Sequence, residues 1–289
     1  MLAVVGAGRM GAAMIGTLRR AGEPVTVYNR TLSRADEVAS AVGAAVAESP
    51  REAASEADIV IVSLADDAAA QSVYSGPDGL ISGLSKGSVV VETSTLAPST
   101  IRELAPQVEE TGAALLDAPV SGSVPLVERG ELTFLVGGDA EALAAVRPVL
   151  DILGARVFHL GRHGAGATMK LAVNAALHGL NQALAEALVL AENAGIKRAA
   201  AYEVFASSAL AAPFVHYKRP AYEDPDGTPP AFTLDLVAKD LALAAALAIE
   251  TGTPMPQLGT NRNAVSAAVA SGLGGADMSA LAVLLRNVD

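Results

Sequence analysis

The sequence predicts an α/β fold: an N-terminal domain with a doubly wound, mostly parallel sheet, joined by a long helix to an all-α C-terminal domain. Three observations predict it. Short apolar, β-branched runs alternate with helical stretches from residue 2 to about residue 160, the pattern of βαβ units. A glycine-rich turn follows the first of those runs. After Gly161 the strand signals stop and alanine-rich segments of helical period take over.

Taken in order, strands are expected at 2–5, 25–28, 59–63, 89–92, 115–118 and 133–136. The runs at 2–5 and 59–62 are continuously apolar rather than alternating, as expected of strands covered on both faces. A long helix is expected over 164–193, closed by the stop signal Ala194-Gly195. Further helices are expected near 198–209, 233–250, 260–271 and 277–287, with Asp277 as N-cap of the last. Four prolines and a glycine between Arg219 and Pro230 read as a loop over a cleft. The resulting domains are 1–162 and 163–289, with the long helix itself as the connection.

Composition narrows the function. The 289 residues suffice for about two domains. Alanine makes up roughly a fifth of them, while aromatics are 3% and tryptophan is absent, so the core is built from small side chains and closely packed helices. The net charge of −11 has the wrong sign for tracking a phosphate backbone, which argues against nucleic acid as a partner. With no cysteine there is no disulfide framework or thiolate nucleophile, and the histidines at 159, 163, 178 and 216 match no helical metal-ligand spacing. The longest purely apolar helical run, 241–249, lies between Asp240 and Glu250 and falls short of the ~20 residues a bilayer span needs. Gly6 and Gly8 interrupt the apolar start, so no signal peptide is read there. A cytoplasmic, metal-independent protein with no membrane partner is expected.

Four sites carry chemistry. Gly6-Ala7-Gly8-Arg9-Met10-Gly11 stands between a strand and a helix, the context in which GxGxxG binds a dinucleotide. Its glycines permit the tight turn, the approach of backbone to pyrophosphate and close helix–strand packing, which makes the N-terminal domain Rossmann-type. At the end of the second strand, Asn29-Arg30-Thr31 replaces the usual ribose-binding acid with an amide and a guanidinium. That suits a 2′-phosphate, so NADP is expected, with NAD possible, and Arg34 adds a second positive charge. Asp117-Ala118-Pro119-Val120-Ser121-Gly122 follows a strand and belongs at the carboxyl edge of the sheet, where backbone amides and the Ser121 hydroxyl can hold a carboxylate. Finally, Gly164-Ala165-Gly166 precedes Lys170 and Asn174, which lie four apart on one helical face and can address the same oxygen. A lysine in a partly buried cleft can give or take a proton.

These features together resemble the β-hydroxyacid dehydrogenase family, which includes 3-hydroxyisobutyrate dehydrogenases and glyoxylate/succinic semialdehyde reductases. The resemblance spans essentially the whole chain: the Gly6 to Gly11 loop, Val91-Glu92-Thr93-Ser94-Thr95 with Pro98, Asp117 to Gly122, Gly164 to Asn174, and Phe232 with Lys239-Asp240-Leu241. It implies that Lys170 is the general acid/base and that Asn174 positions substrate. It also implies that Ser121, Gly122 and Ser123 belong to the substrate-carboxylate loop, that Leu64, Ala65, Thr95 and Lys239 line the nicotinamide and its ribose, and that Thr95 touches substrate as well. The implied partner is a small carboxylated aldehyde or hydroxy acid, and the implied assembly a homodimer or homotetramer. Some positions depart from the family pattern. Ala65 stands where proline is common, Val173 replaces the first of two frequent asparagines, and Ser123, Pro125, Leu126 and Val127 replace smaller residues. Two alternatives share the fold, an imine reductase and a non-catalytic NADP-binding oligomeric module; the lysine at 170 separates the expected activity from both.

Overall fold

A computed structural model describes residues 1–286, so the end of the helix expected at 277–287 lies outside the described residues. The chain divides into two compact units, Met1–Lys170 and Leu171–Asp289.

The first unit begins with β1 (Leu2–Val5), α1 (Arg9–Arg20), β2 (Val25–Tyr28), α2 (Leu32–Val42), β3 (Ala45–Val46) and α3 (Pro50–Ser55). It continues through β4 (Ile59–Val62), α4 (Asp67–Tyr74), α5 (Leu80–Gly83), β5 (Val89–Glu92), α6 (Pro98–Glu109) and β6 (Ala114–Asp117). The remainder is β7 (Val120–Ser121), α7 (Val124–Glu128), β8 (Leu132–Gly138), α8 (Ala140–Leu153) and β9 (Gly154–Gly161). The strands form one sheet in the order β3-β2-β1-β4-β5-β6-β8-β7, with β9 on β8. From β3 to β6 every pairing is parallel; β8 runs antiparallel to β6 and β7.

The apolar strands explain the two-sided cover. Side chains alternate across a strand, so Leu2, Val4, Ile61, Val89 and Val91 enter one core with Met14, Ile15 and Leu18 of α1 and Val146 and Leu150 of α8. Ala3, Val5, Val60, Val62 and Val90 enter the opposite core with Ala70 and Tyr74 of α4 and Ile101, Leu104 and Val108 of α6.

The 29-residue helix α9 (Ala165–Asn193) starts in the first unit and continues into the second. There follow α10 (Arg198–Ser207), α11 (Pro213–Glu223), α12 (Leu234–Thr251), α13 (Pro256–Ala268), a π-turn at Val269–Leu273, a 3₁₀ turn at Met278–Ala280 and α14 (Leu281–Arg286). Leu184, Leu188, Tyr202, Tyr222, Leu241 and Val265 belong to its core.

Three expectations are corrected. The supposed loop from Arg219 to Pro230 is helical as far as Glu223, because Phe214, Val215 and Tyr222 bury one face of α11 and outweigh the ladder bond that Pro220 removes. The helix expected from 260 starts at Pro256, a favoured first-turn residue. Asp277 does cap, accepting from Ser279 N–H, but it caps the short 3₁₀ turn that leads into α14. The weak strands β3, β7 and β9 had no counterpart among the expected ones.

Candidate active site

Register assembles the first half of the site. Tyr28, Val5, Val62, Glu92 and Asp117 lie abreast in five adjacent parallel strands. The loops that leave this row therefore open at one carboxyl edge of the sheet, where open α/β folds bind ligands. Gly6 to Gly8, Asn29, Arg30, Thr31, Leu64, Ala65, Thr95 and Ser121 all belong to those loops or their immediate ends.

The glycine turn is fixed by close backbone packing. A Cβ on Gly6 would fall on the Ser63 carbonyl oxygen, and one on Gly11 would fall on the Gly6 carbonyl oxygen. Gly8 is exposed with open space where its Cβ would stand, and α1 has neither a side-chain cap nor an acidic residue in its first turn. Its first-turn amides and positive dipole end thus suit a diphosphate. Asn29 shapes the turn from the side: its Oδ1 accepts from Ala7 N–H at 3.1 Å and its Nδ2 donates to Thr31 O at 3.0 Å. Arg34, expected to face a phosphate, donates to Ala7 O at 3.2 Å and to Glu37 Oε2 at 2.7 Å, so it braces the turn. Arg30 is exposed. These features fit a dinucleotide with a phosphate near Arg30.

The next two loops are latched together. Leu64 N–H donates to Ser94 Oγ at 2.7 Å, and Ser94 N–H donates to Glu92 Oε1 at 2.9 Å. Tyr74 Oη donates to Glu92 Oε2 at 2.9 Å. Glu92 is fully buried, and burial pushes its carboxyl up to about 7; the bonds from Ser94 and Tyr74 work against that rise, while the Asp67 charge adds to it. Leu64, Ala65 and half-buried Thr95 thereby share one support. Glu92 was visible in the sequence only as part of a motif, because its Tyr74 partner lies 18 residues away.

The substrate-loop candidates stand at the antiparallel end of the sheet. Ser121 pairs with Thr133 across β7 and β8, and Gly122 and Ser123 lead into α7, whose start the Ser123 side chain does not cap. The loop is anchored on α1, where Thr17 Oγ1 donates to Val127 O at 3.1 Å and Arg20 Nη2 to Glu128 O at 3.2 Å. Asp117, at the end of β6, is buried and its Oδ2 accepts from Ala167 N–H of α9 at 2.9 Å. Gly166 and Gly137 make this approach possible, since a Cβ on the first would strike the Asp117 and Leu135 carbonyls and one on the second would strike Asp117 Oδ1. Burial pushes the Asp117 carboxyl up, with the Ala167 and Gly164 amides pulling it down. Lys170 follows in the next residues of the same helix and is half-buried.

The second unit contains the remaining candidates. Asn174, one turn beyond Lys170 on α9, donates from Nδ2 to Asp240 Oδ2 at 2.6 Å. Lys239 Nζ stands 3.2 Å from Asp240 Oδ1, and His178 Nε2 stands 3.9 Å from Oδ2. The His178 ring stacks on Phe232 with centroids 5.9 Å apart. Phe232 N–H in turn donates to Asp277 Oδ2 at 3.3 Å, and Asp277 pairs with buried Lys218 at 2.6 Å. Lys239 thus neighbours Asn174 through Asp240, whereas the other expected cofactor-binding residues all lie in the first unit. In the sequence Asn174 and the Phe232 and Lys239-Asp240 stretch stand in separate motifs; that they converge, with His178 among them, has no local signal, since Asn174 and Asp240 are 66 residues apart. Among the described residues no group of three or more His, Cys, Asp or Glu could hold a metal, and no helix is long and apolar enough to cross a membrane.

Comparison with known proteins covers the whole of this frame. A family model described as the NAD binding domain of 6-phosphogluconate dehydrogenase matches residues 1–161. A second, described as NAD-binding of NADP-dependent 3-hydroxyisobutyrate dehydrogenase, matches residues 164–285. The NAD-dependent L-serine dehydrogenase of Pseudomonas aeruginosa is 38% identical over 89% of this chain and 89% of its own. Glyoxylate/succinic semialdehyde reductase 1 of Arabidopsis thaliana is 35% identical over 96% of this chain and 95% of its own. Among solved structures, the Mycobacterium tuberculosis 3-hydroxyisobutyrate dehydrogenase with L-serine superposes with a TM-score of 0.85 and 32% identity, covering 99% of this chain and 98% of that one.

Proposed function

We propose, from the premise that this chain belongs to the β-hydroxyacid dehydrogenase family and is an NAD(P)-dependent oxidoreductase, that it interconverts a small β-hydroxy acid and its semialdehyde or keto form with NADP(H). The observation that carries this reading is the helix α9, which presents Lys170 and, one turn on, an Asn174 amide held by a buried carboxylate.

When bound, the nicotinamide supplies or accepts the hydride. The chain supplies position and proton traffic. Amides of the α1 first turn hold the diphosphate, and Arg30 meets the 2′-phosphate. Leu64, Ala65, Thr95 and Lys239 line the nicotinamide end, while Ser121, Gly122 and Ser123 hold the substrate carboxylate. In reduction Lys170 protonates the developing alkoxide and Asn174 holds the same oxygen. In oxidation Lys170 accepts that proton. Residues 1–162 form the NADP-binding domain, which also carries the Ser121 loop, and 163–289 the substrate and assembly domain, which also carries Lys239; the assembly is a homodimer or homotetramer, whose mass light scattering would read.

The test is a turnover panel of L-serine, 3-hydroxyisobutyrate, glyoxylate and succinic semialdehyde with NADP(H) and NAD(H), run beside cyclic imines. Turnover of at least one carboxylated substrate, faster with NADP(H), is expected. Activity confined to imines, or cofactor binding without any turnover, would overturn the reading.

A further inference from the structure

The geometry points to His178 as a positioning residue that holds Asp240, and through it the Asn174 amide, in the orientation the reaction uses. The inference rests on the role proposed for Asn174.

His178, Asp240 and Asn174 are only 3%, 2% and 5% exposed. Neither ring nitrogen of His178 has a hydrogen-bond partner among the described residues. A buried imidazole with both nitrogens unmatched costs free energy that an apolar side chain at the same place would not incur. The ring is nevertheless aimed at a specific acceptor: Nε2 lies 3.9 Å from the Asp240 Oδ2 that already receives Asn174 Nδ2 at 2.6 Å. A carboxylate oxygen accepts from two donors, so a small side-chain rotation lets both bonds form on Oδ2. Hydrogen bonds of this kind commonly tighten only when substrate is present.

The surroundings define the ring plane. Phe232 stacks on it at an interplanar angle of 26°, and Phe232 is itself held by Asp277. Asp240 is ion-paired with Lys239, whose Nζ lies 3.2 Å from Oδ1, and is approached by His178 on Oδ2. With one Nδ2 hydrogen committed to Asp240, Asn174 has a single remaining N–H and its Oδ1 to offer. Which way these point depends on how firmly Asp240 is held.

Two variants separate positioning from packing. His178→Phe keeps an aromatic ring against Phe232 and removes both nitrogens; His178→Gln restores a neutral donor. His178→Phe is expected to lose about tenfold or more in kcat, with KM for NADP unchanged and thermal stability retained, and His178→Gln to recover most of the loss. The side-chain amide NMR signal of Asn174, assigned by its disappearance in Asn174→Ala, reports the same contact without turnover. It is expected to shift in His178→Phe and return toward its original place in His178→Gln. An Asn174 signal unmoved in His178→Phe overturns the assignment whatever the kinetics. Absence of turnover in the unmodified enzyme would instead sink the dehydrogenase reading, and the amide signal would still decide the role of His178.

Discussion

Replacing Glu92 by glutamine should make the protein more stable at neutral and alkaline pH, and the size of the gain can be worked from the site. Burial raises the Glu92 carboxyl from 4.5 to about 7, in spite of the hydrogen bonds from Ser94 and Tyr74. The folded chain therefore binds a proton more tightly than the unfolded chain. Stability from that proton is fully present below about pH 4.5 and is lost as pH rises to about 7, a difference of about 3 kcal/mol. Glutamine has nearly the same shape and does not titrate. The two proteins should unfold alike near pH 5, while near pH 8 the variant should be the more stable by about 3 kcal/mol. For a cooperative unit of this size that amounts to roughly 6–12 °C in Tm. Thermal unfolding of both proteins across this range is the assay. A stability difference that does not change with pH would refute the reasoning, since it would mean that Glu92 does not titrate between the two limits.

Three further outcomes are expected. Lys170→Ala should lower turnover by about two to four orders of magnitude, the span of a lost general acid, while NADP affinity by titration calorimetry stays nearly intact; wild-type turnover would remove Lys170 from the mechanism. Arg30→Ala should raise KM for NADP about tenfold and leave KM for NAD almost unchanged, and an equal change for both cofactors would show that Arg30 does not read the 2′-phosphate. Gly166→Ala should destabilise the fold by about 1–3 kcal/mol in chemical denaturation, because the added methyl meets the Asp117 and Leu135 carbonyls; unchanged stability would show that this contact yields freely.

Much of the frame was legible in the sequence because its signals are local. The strands at 2–5, 25–28 and 89–92 are short valine-rich runs, each followed by a glycine or a polar residue, and their structural limits agree. The glycine turn and the start of α9 announce themselves within a few residues. What was hidden depends on contacts distant along the chain. The helix α11 was masked by Pro220, since proline marks a break locally while the burial of Tyr222 that outweighs it becomes visible only in three dimensions. The edge strand β9 was masked because its apolar residues Val157, Phe158 and Leu160 follow no alternation, Phe158 and Leu160 both being exposed. Glu92 and Asp240 each stood inside a family-like motif, yet neither carried a role of its own there. Their roles come from being buried beside a tyrosine, a serine or an amide, and no local pattern records that.

The seating of α9 on Asp117 has a consequence for how such a protein can change. The helix that carries Lys170 is tied to the end of β6 by the Ala167 amide donating to the Asp117 carboxylate, at an approach made close by Gly137 and Gly166. Ser121 pairs with Thr133 of β8, while the far end of its loop, at Val127 and Glu128, is held by Thr17 and Arg20 of α1. The far end of the loop therefore has a foundation of its own on α1. On the roles proposed for Lys170 and for the Ser121 loop, a loop transplanted between residues 121 and 127 alters which molecule is admitted while the proton donor keeps its place, so that one scaffold can acquire new substrates by exchanging a short surface segment.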